Sequence, residues 1–222
     1  MCNDKRREIK FIQKKVLDTF FDEKELMCIG NLFENKVTDL ESFEKGEFFS
    51  INPLTSIDLH YNKNGTEKQL KKRRYMKPRR ADINVSSFRS FLFEMDSIPL
   101  VDQMVILLQC GIPWTSIVYS GGKSYHAILS LEVSLSGCHT ENGIDAYKQV
   151  WKRLEGKIEL CANTFGFNNV VDGSCKNPSR FSRFPLYKAD DREVQEIFWS
   201  SCRISEGDFN SLLLICPEVK EV

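Results

Sequence analysis

Apolar residues along this chain fall into two alternating kinds of spacing. Over 5–27 they stand at Ile9, Ile12, Val16, Phe20 and Phe21 on a charged background, which predicts a helix. The segments 26–32 and 47–54 (with Phe48, Phe49 and Ile51) read as strands, the second stopped by Pro53. From 62 to 80 the apolar content nearly vanishes, leaving an exposed loop or a helix with a basic surface. Beyond it the signals sharpen. Residues 88–97 predict a strand. Residues 99–110 predict a helix with Pro99 at its first turn, Leu100, Met104, Leu107 and Leu108 on one face, and Gly111 at its end. Strands over 115–119 and 124–133 flank a Gly-Gly turn as a hairpin. The spacing of Ile144, Tyr147, Val150, Trp151, Leu154, Ile158 and Cys161 predicts a helix over 144–161, and 181–187 reads as a further strand. The remainder, 190–222, reads as a mixed α/β closing segment with a helix over 192–202. This β-α-β-β-α-β order is the ferredoxin-like arrangement, a four-stranded antiparallel sheet backed by two helices. The expected class is α+β, with an N-terminal α/β subdomain over 1–83 and the βαββαβ module with its closing segment over 84–222.

Composition narrows the picture only a little. The 222 residues suffice for one large domain or two small lobes sharing a core. Lys and Arg together number 31, as do Asp and Glu, so net charge gives no hint of a nucleic-acid partner. Eight cysteines occur without a CxxC pair, which argues against a zinc ribbon, and the chain is too rich in core residues for a disulfide scaffold. Most of them read as buried, reduced thiols in a cytoplasmic protein. No apolar h-region follows Met1–Arg7, and no run approaches the ~18 apolar residues of a membrane span, so neither a signal peptide nor a membrane segment is expected.

Local chemistry is more telling. The run Phe91-Leu-Phe-Glu-Met-Asp-Ser97 sets two carboxylates two residues apart among apolar side chains. In a strand, Glu94 and Asp96 share one face while Phe93 and Met95 turn to a core. Two neighbouring acids repel each other, and a pair of divalent metals is the usual resolution; an acidic solvent face is the bland alternative. Next comes Ser120-Gly-Gly-Lys-Ser-Tyr-His126. It is not a Walker A loop, because Ile117 stands where the first glycine belongs and a strand follows instead of a helix. What remains is a hairpin turn whose hydroxyls, Lys123, His126 and backbone N–H groups suit phosphate oxygens. Asp172, in Val170-Val-Asp-Gly-Ser174, reads as a simple turn initiator or as a third acid for the metals. Arg180 and Arg183 read as phosphate contacts or surface cations. In the basic stretch, Lys71, Lys72, Arg73, Arg74, Arg79 and Arg80 read as a solvated face or as a salt-dependent contact to a nucleic-acid backbone.

Taken together, Phe93-Glu-Met-Asp96, Ser124-Tyr-His126 and Val171-Asp172 resemble the three motifs of the archaeo-eukaryotic primase superfamily, the primase-polymerases: a strand with two acids, a small-x-His motif after a turn, and a third acid after apolar residues. The strings Tyr-Ser-Gly-Gly-Lys-Ser-Tyr-His and Asn-Pro-Ser-Arg-Phe-Ser-Arg-Phe-Pro are similar to members from phages, plasmids and CRISPR-associated loci. The resemblance covers 84–188, and more weakly 26–83. Glu94 replaces the family's aspartate, a longer carboxylate that still ligates metal, and no zinc-binding stem is visible. The resemblance implies a two-lobed core with an RRM-like catalytic module. It implies a DNA-directed nucleotidyltransferase, a primase or DNA polymerase, that adds NTPs or dNTPs to a 3′-hydroxyl on a single-stranded or primed DNA template. Glu94, Asp96 and Asp172 would hold two Mg²⁺ or Mn²⁺ ions, with no zinc. Ser120, Lys123, Ser124 and His126, assisted by Arg180 and Arg183, would bind the triphosphate. A helicase or accessory primase domain elsewhere in a longer protein, or CRISPR adaptation proteins, are the associates it suggests. A metal-dependent nuclease and a non-catalytic RRM-like nucleic-acid binder are the alternatives that the residues leave open.

Overall fold

The stretch Phe88–Phe93 is buried on both faces, and the rest of the molecule is arranged around it. The computed structural model describes residues 2–31, 35–44, 46–56, 59, 80–188 and 193–218, with the side chains of 2–6 and 35 excepted. Among the described residues the helices are α1 (Cys2–Leu17), α2 (Leu100–Gln109), α3 (Glu141–Thr164) and α4 (Glu206–Leu214). The strands are β1 (Met27–Gly30), β2 (Asn35–Thr38), β3 (Phe48–Ser50), β4 (Phe88–Phe93), β5 (Ser116–Tyr119), β6 (Tyr125–Leu135), β7 (Phe181–Arg183) and β8 (Ile197–Ser200). They form two antiparallel sheets, ordered β2-β1-β3-β7 and β4-β6-β5-β8. The α+β class and the β-α-β-β-α succession are as the sequence predicts.

One face of α3, made by Tyr147, Trp151, Leu154, Ile158 and Ala162, is almost fully buried. The ring of Tyr147 stacks on Phe91 at 4.6 Å and that of Trp151 on Phe93 at 5.3 Å. The polar ends of both rings are satisfied on the β4 backbone, Tyr147 donating to the Ser90 carbonyl and Trp151 to that of Leu92. Thr140 caps the helix by accepting from the Gly143 N–H. Gly143 lies so close to Gly137 that a Cβ there would stand 1.9 Å from the Gly137 carbonyl oxygen.

Several expectations need correction. The strand over 88–97 ends at Phe93, because its ladder to β6 stops at Phe93 opposite Ala127 and the Glu94 carbonyl turns to the Asp172 N–H at 2.9 Å. The strand over 181–187 is only Phe181–Arg183, and it pairs with β3 in the other sheet, where Pro185 and a left-handed Leu186 end it. Of the helix expected over 192–202, the described residues 193–202 form none. Their Ile-Phe-Trp-Ser core extends as β8 along the open edge of β5, supplying the fourth strand of the second sheet on the side opposite β4. The buried face of α2 is Gln103, Ile106 and Leu107, whereas Leu108 is exposed. β2 was not foreseen.

Asn52 knits the sheets together. Its side chain is wholly buried, donating to the carbonyls of Ser90 and Pro178 and accepting from the N–H groups of Arg89 and Ser90. Arg89, also buried, anchors the end of the α1 region through the Phe20 carbonyl and Glu25.

Candidate active site

A cleft of about 600 Å³ opens where the exit of β4, the β5–β6 turn and β7 converge. Its lining brings together Glu94, Asp96, Ser120, Lys123, Ser124, His126, Arg180 and Arg183, with Phe48, Arg80 and Phe181 on the wall formed by the first sheet. Of the residues singled out from the sequence, Lys71, Lys72, Arg73, Arg74 and Arg79 lie outside the described residues.

Glu94 stands at the centre. His126, near the start of β6, faces it, with Nε2 2.8 Å from Glu94 Oε2. His126 Nδ1 accepts the Arg183 backbone N–H at 3.3 Å, which leaves the ring proton on Nε2, facing Glu94. Ser182 Oγ lies 3.3 Å from the same Nδ1, so β7, from the other sheet, sets the orientation of the histidine. Glu94 Oε1 accepts from the Cys175 thiol at 3.3 Å and from Arg180 at 3.3 Å. Burial works against the charge on Glu94, but the hydrogen bond and attraction of His126, with Cys175 and Arg180, hold its carboxyl well below the usual carboxylate range.

Asp172 is carried beside Glu94 by the main-chain bond between them, and its carboxylate caps a short 3₁₀ turn, Gly173–Lys176, by accepting from the N–H and hydroxyl of Ser174. Arg180 reaches this second acid too, at 3.6 Å. Among the described residues, Glu94, Asp172 and Cys175 form a group whose ligand-type atoms lie within 4.8 Å of one another. Asp96 is outside that group, on the exposed turn after β4, yet it lines the same cleft. The donor set suits a hard divalent cation through its carboxylate oxygens. Cys175 does not extend it, because burial and then the Glu94 charge push its thiol far up, so the protonated thiol serves as a donor to Glu94.

The Ser120–Ser124 turn is a three-residue hairpin loop. Ser120 and Ser124 bond backbone to backbone at 2.9 Å, Ser120 Oγ accepts the Ser124 N–H, and Gly121 takes φ +75°, where a side chain is disfavoured. Gln103 of α2 braces it from beneath, donating to the carbonyls of Lys123 and Ile98 and accepting from the Tyr125 N–H. Sequence reasoning passed over Gln103, Cys175 and Ser182. Only Gln103 carried a signal, a polar residue on the apolar side of a helix. On the opposite wall Phe48 and Phe181 stack at 5.8 Å; Arg183 lies over Phe48 and pairs with Glu47, and Arg80 lies over Phe181 and donates to the Ser179 carbonyl.

No family model matches the sequence, and no curated protein matches it. Among solved structures, the AEP domain of the cyanophage S-2L primase-polymerase (PrimPol) is similar, with a TM-score of 0.56 at 16% sequence identity, over 93% of this chain and 97% of that one. In fold, therefore, this chain is similar to an archaeo-eukaryotic primase-type (AEP) primase-polymerase domain, the superfamily that its three motifs resemble.

Proposed function

We propose that this chain is a metal-dependent, template-directed nucleotidyltransferase of the primase-polymerase kind, joining NTPs or dNTPs to a 3′-hydroxyl on a DNA template with release of pyrophosphate. The observation that carries the reading is the meeting in one cleft of the acids from the β4 exit, the Ser120–His126 segment, and Arg180 and Arg183. Glu94, Asp96 and Asp172 hold Mg²⁺ or Mn²⁺. Such ions lower the pKa of an attacking hydroxyl and neutralise a leaving pyrophosphate. The protein's own contribution is positioning and charge. Backbone N–H groups of the 121–123 loop and the Lys123 ammonium face the triphosphate, while Arg180 offers a planar donor set from the far side. His126, oriented from Nδ1 by the Arg183 N–H, donates from Nε2 to Glu94 and so fixes the carboxylate. Arg80 and the basic segment before it follow the template or primer backbone.

The test is extension of a primer on a single-stranded template with labelled nucleotides and Mn²⁺ or Mg²⁺, beside an unprimed lane. Template-dependent products are expected, falling by two or more orders of magnitude in Asp96→Ala and Asp172→Ala. Products in the unprimed lane make the enzyme a primase. Degradation of the DNA without nucleotide incorporation identifies a nuclease instead and refutes the proposal.

A further inference from the structure

Arg180 occupies the position that a bridging cation takes. Its backbone is tied on both sides, its N–H bonded to the Asn177 carbonyl and its carbonyl to the Ile51 N–H, both at 3.0 Å. The side chain crosses to the acids, where one terminal nitrogen lies 3.3 Å from Glu94 Oε1 and 3.6 Å from Asp172 Oδ2. Two carboxylates this close are stable as anions only with positive charge between them. The guanidinium supplies that charge, and a metal ion binding the same two oxygens must move it. Arg80 lines the same cleft, and a second guanidinium there disfavours any move of Arg180 toward it. A triphosphate removes the conflict by giving the displaced guanidinium oxygens of its own.

Resting on the reading of this cleft as a metal site, we propose that Arg180 is an internal counter-ion that competes with the metal for Glu94 and Asp172 and passes to the triphosphate when the two arrive together. Metal and nucleotide then bind with positive coupling, and by linkage each raises the affinity of the other by the same factor. Without nucleotide the acids stay closed over Arg180, so the ion alone binds weakly.

The experiment titrates Mn²⁺ into wild-type protein, Arg180→Gln and Arg180→Lys, with free ion read by electron paramagnetic resonance. Each titration is repeated with a saturating non-hydrolysable nucleoside triphosphate. Arg180→Gln is expected to bind Mn²⁺ alone about tenfold more tightly than wild type, roughly one charge-assisted hydrogen bond's worth. It is also expected to bind the triphosphate more weakly and to lose most of the mutual enhancement, while Arg180→Lys stays close to wild type. A purely structural role cannot produce tighter metal binding. Near-ultraviolet circular dichroism checks each fold, and Arg180→Met, which keeps the apolar stem, replaces Arg180→Gln if that variant does not fold. Equal or weaker Mn²⁺ binding in the charge-free variant overturns the counter-ion role and leaves the metal site standing. Absence of Mn²⁺ binding by every protein, with and without triphosphate, overturns both.

Discussion

Glu94 has three partners on its two oxygens, and each does a different job. His126 supplies a donor fixed from behind, Arg180 supplies charge, and Cys175 supplies a buried donor that no solvent molecule replaces. Removing the thiol leaves part of the carboxylate's environment unsatisfied, worth about 1 kcal/mol for one neutral hydrogen bond. Cys175→Ala is therefore expected to lower kcat/KM for nucleotide addition about fivefold, while Cys175→Ser, which keeps a donor, retains most of it; steady-state extension kinetics read the difference. The same environment has a pH signature. A carboxyl held below its ordinary value of 4.5 stabilises the folded state above that pH, and the contribution is lost as pH falls through and below it. Urea unfolding of metal-free protein should show wild type more stable than Glu94→Gln at pH 7, with the gap narrowing between pH 4.5 and pH 3. The groups facing Glu94 are His126, Arg180, Asp172 and Cys175. A gap independent of pH would assign the effect to packing.

At the scale of elements, what is local was legible and what is not local was hidden. The β5–β6 hairpin follows from alternation and a Gly-Gly turn, and α3 from a repeating apolar stripe, so both elements were read correctly. The placing of Asp172 beside Glu94 depends on one backbone hydrogen bond across 78 residues, which no local pattern encodes; the residues left Asp172 between a turn initiator and a third acid, and the resemblance to a family favoured the acid. Strand partners were hidden for the same reason. Phe181–Arg183 has the composition of a strand, but nothing in it says that β3, and not β4, is its neighbour. β8 was misread because a short Ile-Phe-Trp run fits a helix face as well as a sheet edge. Asn52 belongs to this scale too, since its amide joins residues from three segments. Asn52→Ala orphans buried backbone groups on β4 and is expected to cost about 3 kcal/mol, seen as a lowered urea midpoint with an unchanged slope. A loss below about 1 kcal/mol would mean that water takes the amide's place.

In the whole molecule the chain visits the first sheet, leaves it to build most of the second, and returns through β7 before β8 completes the second sheet. Each sheet therefore waits for a strand made late. Orientation of His126 comes from that returning strand, so assembly of the cleft and closure of the first sheet are one event. A fragment ending at residue 179 lacks β7 and is expected to bind no triphosphate and to show no cooperative unfolding, whereas one ending at 218 should bind it and unfold cooperatively; far-ultraviolet melting of the two, with and without triphosphate, decides this. During synthesis on a ribosome, moreover, β3 emerges well over a hundred residues before its partner. Its Phe48 and Phe49 leave the exit tunnel with a bare strand edge beside them, in a nascent chain whose β7 is not yet made. Long-range closure of this kind is slow, and translation at about 5–20 residues per second leaves the edge open for about 7 to 26 seconds. The order of the strands thus leaves an unpaired edge in the first quarter of the polypeptide until β7 is made.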